Sequence, residues 1–144
     1  MVLPPYDFKS IVPTVSWTVL FHDEFDREYR PLAKGLQDEL LAHALLLSQF
    51  GPGLGRPTVD TLKGSKHANM KELRFGWQGE VWRVAFAFDP DRQAILLVGG
   101  DKGGADQKRF YKRLIGLADA RFDMHLASLA TVAARKEKRH AKKS

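Results

Sequence analysis

A mixed α+β domain, with helices packed on a mostly antiparallel sheet in the order β-α-α-β-β-β-α, is the fold class this sequence predicts. Three observations carry the prediction. Apolar residues recur at helical spacing from Leu32 to Phe50, the period falls to two between Lys71 and Phe88, and a helical period returns from Ala105 to about Ala134.

In chain order, Trp17-Thr-Val-Leu-Phe21 is short, β-branched and aromatic and reads as a first strand. The acidic stretch after His22 suits a helix amino terminus, where negative charge meets the positive end of the helix dipole, and Pro31 breaks or restarts that helix. Leu36, Leu40, Ala44 and Leu47, widened by Leu41 and Leu45, form the apolar stripe of a second helix that Gly51-Pro52-Gly53 stops. Most of Gly53 to Asn69 reads as loop. Leu73, Phe75 and Trp77 then face one way and Glu72 and Arg74 the other. Gln78-Gly79 is a two-residue turn leading into Glu80 to Phe88, where Trp82, Val84, Phe86 and Phe88 oppose Arg83, Ala85 and Ala87. A tight turn at Asp89 to Arg92 and the apolar run Ala94 to Val98 complete a three-stranded meander. After the glycine-rich Gly99 to Gly104, one long helix or two helices parted near Gly116 both satisfy the stripe of Phe110, Leu114, Leu117, Arg121, Met124 and Leu129.

A chain of 144 residues supports one core. We expect an extension at 1–16, a domain at 17–134 and a basic, disordered tail at 135–144. The absence of cysteine excludes disulfides and thiolate metal sites. Pro4, Pro5, Asp7 and Lys9 interrupt any signal-peptide core, and no stretch approaches the roughly 18 apolar residues of a membrane span. The expectation is a soluble, cytoplasmic protein with no membrane partner.

The net charge is +6, but the last ten residues carry six Lys or Arg against one Glu, which leaves +1 for the rest. That remainder is segregated. Residues 1–50 hold four basic and seven acidic side chains, 61–83 hold five against two, and 102–113 hold five against one. Such a body can meet a polyanion on one side, and Lys63, Lys66, Lys71, Lys108 and Arg109 are the candidate RNA contacts.

Arg74 and Arg83 each interrupt an aromatic strand and point away from its apolar face. An arginine there offers a planar fork for two phosphate oxygens, and Lys102 can converge from the next strand. The competing reading is a salt bridge to Glu72 or Glu80. Gly99 to Gly104 lacks the Gly-Lys-Ser/Thr ending of a nucleotide phosphate loop. The five histidines make no zincin-like pair, so neither metal nor cofactor is expected. His67 lies in the basic loop, as a candidate base or an ordinary exposed residue. Trp77 and Trp82 suit core packing better than base stacking.

Together, Leu62-Lys-Gly, Lys71-Glu-Leu-Arg74, Val81-Trp-Arg-Val-Ala-Phe-Ala-Phe88, Ile95-Leu-Leu-Val98 with Lys102, and the later Ala120-Arg121 resemble the RelE/ParE superfamily, in its HigB-like, phage-related branch. The resemblance covers roughly Trp17 to His125. It implies a RelE-like fold and the toxin of a type II toxin–antitoxin system, a messenger RNA endonuclease (mRNA interferase) that inhibits translation at the ribosome. It also implies a cognate antitoxin, often a helix-turn-helix protein. By position, Arg74, Arg83 and Lys102 are the implied catalytic cations, with His67 as candidate base. The aromatic residue and paired lysines usual after the last strand are replaced here by glycines. Two alternatives stand beside it: a ParE-like, non-enzymatic gyrase inhibitor, and an inactive phage-derived RNA-binding module.

Overall fold

The computed structural model describes residues 17–143, so the extension expected at 1–16 lies outside the described residues. Strand β1 (Thr18–Phe21) leads into α1 (Asp23–Tyr29) and α2 (Lys34–Phe50), then come β2 (Val59–Thr61), β3 (Lys71–Trp77), β4 (Glu80–Phe88), β5 (Gln93–Asp101) and α3 (Gln107–Lys143). The five strands form one sheet in the order β1-β5-β4-β3-β2. All neighbours are antiparallel except β1 and β5, which run parallel.

Local chemistry accounts for the element ends. His22 caps α1, its ring Nδ1 accepting from the Glu24 backbone N–H at 3.2 Å, and Asp23, Glu24 and Asp26 sit in the first turn. Helix α2 ends where Gly51 adopts φ +53°, and the Trp17 indole lies where a side chain at 51 would be. Gln78 and Gly79 both have positive φ, the signature of a hairpin turn whose twist matches its strands.

Strand alternation divides the core between the two sheet faces. On one face, Leu73, Phe75, Val84, Phe86 and Leu96 pack with Phe25, Leu36, Leu40 and Leu47 of α1 and α2. On the other, Ala85, Ala87, Ile95 and Leu97 pack with Leu114, Ala118 and Phe122 of α3. Each such leucine contributes about 1.5–3 kcal/mol relative to an exposed one. The sheet is therefore covered by helices on both faces.

Three features depart from expectation. Residues 59–61 form a strand within the segment read as loop; three residues containing Asp60 are too few to display a period, and pairing with β3 supplies the hydrogen bonds. The strand β5 continues through Gly99 and Gly100 to Asp101, because β4 pairs with it over that length. The basic end expected to be disordered is helical: α3 is one uninterrupted helix through Lys143, with every side chain from Thr131 to Ala141 exposed. Among the described residues no helix is long and apolar enough to cross a membrane.

Candidate functional site

The β3–β4 register places Arg74 directly opposite Arg83, so both arginines leave the sheet on the α3 face. Glu72 shares that face, two residues from Arg74, and its carboxylate oxygen stands 3.7 Å from the Arg74 Nε. Two aromatic residues in the first turns of α3 close over the group. The Arg83 guanidinium carbon lies 5.6 Å from the Tyr111 ring centroid and 5.9 Å from that of Phe110, within cation–π range. Tyr111 also donates its hydroxyl to Glu72 Oε1 at 3.3 Å. Arg74, Glu72, Tyr111 and Arg83 thus form one connected cluster.

The cluster is incompletely satisfied. Glu72 Oε2 and Arg83 Nε are buried without a hydrogen-bond partner, while Arg83 Nη1 donates back to the Val81 carbonyl at 3.1 Å. Burial raises the Glu72 carboxyl above its ordinary value, outweighing the Tyr111 hydrogen bond and the two arginines, which act the other way. Burial and the neighbouring carboxylate likewise raise the Tyr111 phenol. A carboxylate with elevated proton affinity between two guanidinium groups can accept a proton beside a site that stabilises an oxyanion. Buried polar atoms without a protein partner are uncommon.

Lys102 is not in this cluster. It is half-buried and lines a cavity of about 490 Å³ between α1, the end of β5 and α3, together with Trp82, Phe110 and Arg109; neither Arg74 nor Arg83 lines it. Phe110 is common to both places. His67 is further removed: its Nε2 is 2.8 Å from Asp123 Oδ1, and its ring meets Phe122 edge-on. Asp123 lies twelve residues beyond Tyr111 on α3, about 18 Å at the helical rise. Lys66 pairs with the same Asp123, and Ser65 donates to Asp119, so the whole loop is pinned to the middle of α3. The structure therefore separates His67 from the two arginines instead of gathering them.

Among the candidate RNA contacts, Lys63, Lys66, Lys108 and Arg109 are exposed, whereas Lys71 is half-buried. Lys71 also stands opposite Phe86, on the face away from Arg74. Trp77 packs on α2, its ring occupying the space above Gly35. Among the described residues no three His or acidic side chains are grouped to hold a metal ion.

Sequence reasoning treated Glu72 only as a salt-bridge partner and did not single out Tyr111. Tyr111 lies at positions i, i+7 and i+11 with Ala118 and Phe122, which was the available signal that it faces the sheet. The burial of Glu72 had no local signal, since it depends on α3 folding over it. Arg121, noted in the Ala120-Arg121 pair, is placed in a structural role. Its guanidinium donates to both Glu28 oxygens at 2.7 and 2.8 Å and to the Leu97 carbonyl at 2.7 Å. Leu97 is the extra residue of a β-bulge, because Ala85 pairs with Val98 and Phe86 with Leu96, and Arg121 answers the carbonyl there.

Comparison with known proteins adds the following. Residues 27–123, more than half of the chain, match the family model described as phage-derived protein Gp49-like (DUF891). A Mycobacterium tuberculosis (strain ATCC 25618 / H37Rv) protein provisionally named toxin HigB2 is 49% identical over 96 residues, which cover 65% of this chain and 47% of that relative. A second protein of the same strain, provisionally named toxin HigB3, is 54% identical over 83 residues, covering 58% of this chain and 70% of the relative. The match thus spans about half the length of the first relative and over two thirds of the second. No solved structure matches the chain.

Proposed function

The chain belongs to the phage-derived Gp49-like family, and from that premise we propose that it is the toxin of a type II toxin–antitoxin pair, a metal-independent endonuclease acting on messenger RNA at the ribosome. The names of its two relatives support the toxin reading. The observation that supports the nuclease reading most is the Arg74–Glu72–Arg83 cluster with its two unpartnered buried atoms.

In the proposed reaction a ribose 2′-oxygen attacks the adjacent phosphorus and the bond to the 5′-oxygen breaks. The products are a 2′,3′-cyclic phosphate and a free 5′-hydroxyl, whose oxygen takes a proton from water as it leaves. Glu72 Oε2 takes the proton from the 2′-hydroxyl, a role suited to its raised proton affinity. Arg74 and Arg83 hold the phosphate oxygens as charge builds on them, where a preorganised donor contributes about 2.7–4 kcal/mol. Reaching Glu72 requires Tyr111 to leave its hydrogen bond, and the glycines at 103 and 104 just before α3 give the helix start room to shift. The assignment departs from the expectation for His67, whose ring is engaged with Asp123.

An antitoxin silences this site by covering the basic sheet face with acidic side chains, since occupying a polyanion site is the direct way to close it. The test is to map RNA ends after a short expression pulse. We expect clustered messenger cuts bearing 5′-hydroxyl ends, absent with Arg83→Ala in protein that still folds. DNA breaks and an SOS response without messenger cuts would overturn the reading in favour of gyrase inhibition.

A further inference from the structure

The cavity of about 490 Å³ at the seam of α1, β5 and α3 lies beside the arginine cluster and opens between the two cores, with Phe25 of one and Val98 and Leu114 of the other in its lining. Its volume falls in the range of small-molecule sites, roughly 300–1,000 Å³. Strand β1 pairs with β5 only as far as Leu96, so the following stretch of β5 has no strand neighbour on that side. Gly99 and Gly100 carry no side chain there, and Gly99 lets the rings of Phe25 and Trp82 come within about van der Waals distance of the strand. Aromatic side chains and bare backbone therefore line the cavity together.

The rim is cationic. Lys102, Arg109 and Arg113 line the opening, and among the described residues none of them has an ion-pair partner within 4.0 Å. Two acids also line it. The Glu28 carboxylate is held bidentately by Arg121 and also feels Arg113, so with Asp101 two acids stand against three cations at the rim. An apolar cavity with aromatic lining and a cationic rim matches a nucleotide, whose base stacks without regard to sequence and whose phosphate needs cations. An acidic peptide would use the rim but has no need of the aromatic lining.

We propose that this cavity is a nucleotide subsite of the cleft: one unstacked RNA base enters at the free edge of β5, where Trp82 and Phe110 reach the cavity from opposite faces of the sheet, with its flanking phosphates on Lys102, Arg109 and Arg113. The proposal rests on the nuclease reading for its choice of RNA and extends it, because Phe110 lines the cavity and also lies beneath Arg83. A strand whose base sits in the cavity thus has an adjoining linkage near the arginines. This gives Lys102 a part in holding substrate beside the reacting phosphate, away from the Arg74–Arg83 pair.

The experiment is a nuclear magnetic resonance titration of the full chain with adenosine monophosphate and, separately, with inorganic phosphate. Saturable shifts of the Gly99 and Gly100 amides and of the Trp82 indole are expected with the nucleotide, and no indole shift with phosphate. Arg109→Glu, at an exposed position, should weaken nucleotide binding about tenfold or more while leaving the spectrum of the folded protein intact. Leu117→Trp, which fills the cavity, should abolish it. Equal indole shifts with phosphate alone overturn the base-binding claim. Shifts with an acidic amphipathic peptide and none with the nucleotide overturn it in favour of a protein partner. Messenger cleavage by a chain that ignores the nucleotide removes the subsite and keeps the nuclease; nucleotide binding without cleavage does the reverse.

Discussion

Two regions bury charged side chains against the same face of the sheet and treat them in opposite ways. Around the middle of α3, Arg121 meets three oxygens and Asp89 accepts from the Asp91 and Gln93 backbones, the Gln93 amide and the His125 ring. Near the start of α3, Glu72 and Arg83 each keep an unpartnered atom. Proton affinities follow the same division. Although burial opposes it, the hydrogen bonds from His125 and Gln93 hold Asp89 below its ordinary value, whereas burial holds Glu72 above its own. A saturated charge stabilises a fold; a buried carboxyl with raised proton affinity and an oxygen that no protein group satisfies is better suited to exchanging a proton.

The largest expected effect falls on activity. Arg83→Ala should lower messenger cleavage about 10²- to 10³-fold, measured as the initial rate of cut accumulation. Its unfolding free energy should fall by no more than about 1 kcal/mol, since what is lost is chiefly a pair of cation–π contacts. A large stability loss with unchanged cleavage would erase the contrast between the regions.

Next in size is Arg121→Ala, which should reduce stability by about 2–3 kcal/mol in urea unfolding. That is below the full range for breaking a buried pair because Glu28 keeps access to water. Asp89→Asn should follow at about 1–2 kcal/mol, since its buried donors lose a charged acceptor. That gap should narrow as pH drops below 3.8, because a depressed carboxyl gives its stability above the ordinary value and loses it as it protonates. Neither change should touch cleavage in the fraction that remains folded.

The smallest effect sharpens the comparison most. The Glu72 carboxyl is raised, so its contribution is fully present below the ordinary value of 4.5 and is lost as pH climbs through the folded value. Glu72→Gln should therefore gain stability relative to the parent chain as pH rises from 4.5 through the folded value, while losing cleavage. A parent and variant that change in parallel over that interval would mean that Glu72 is not held as described.

Much of this fold was legible because the relevant signals are local. The period-two runs at 71–77 and 80–88 and the glycine stops after Phe50 and Gln78 recur as element boundaries. Strand β2 was hidden by its brevity, and the helicity of the basic end by composition that resembles a solvated tail. At the site, alternation alone sufficed to place Arg74 and Arg83 on one face. What escaped was everything set by distant packing. Glu72 becomes unusual only once Tyr111 covers it, thirty-nine residues away. His67 and Lys102 are drawn to separate places by Asp123 and by the seam with α1.

The reach of α3 has an electrical consequence. Thirteen residues from Thr131 to Lys143 extend the helix by about 20 Å, more than twice the roughly 8 Å over which physiological salt extinguishes a surface field. The lysines and arginines of residues 135–139 therefore form a remote handle, insulated from the Glu72 carboxyl beneath Tyr111. They can hasten capture of a polyanion at low ionic strength, yet trimming this cantilever should leave the acidity of Glu72 where it was.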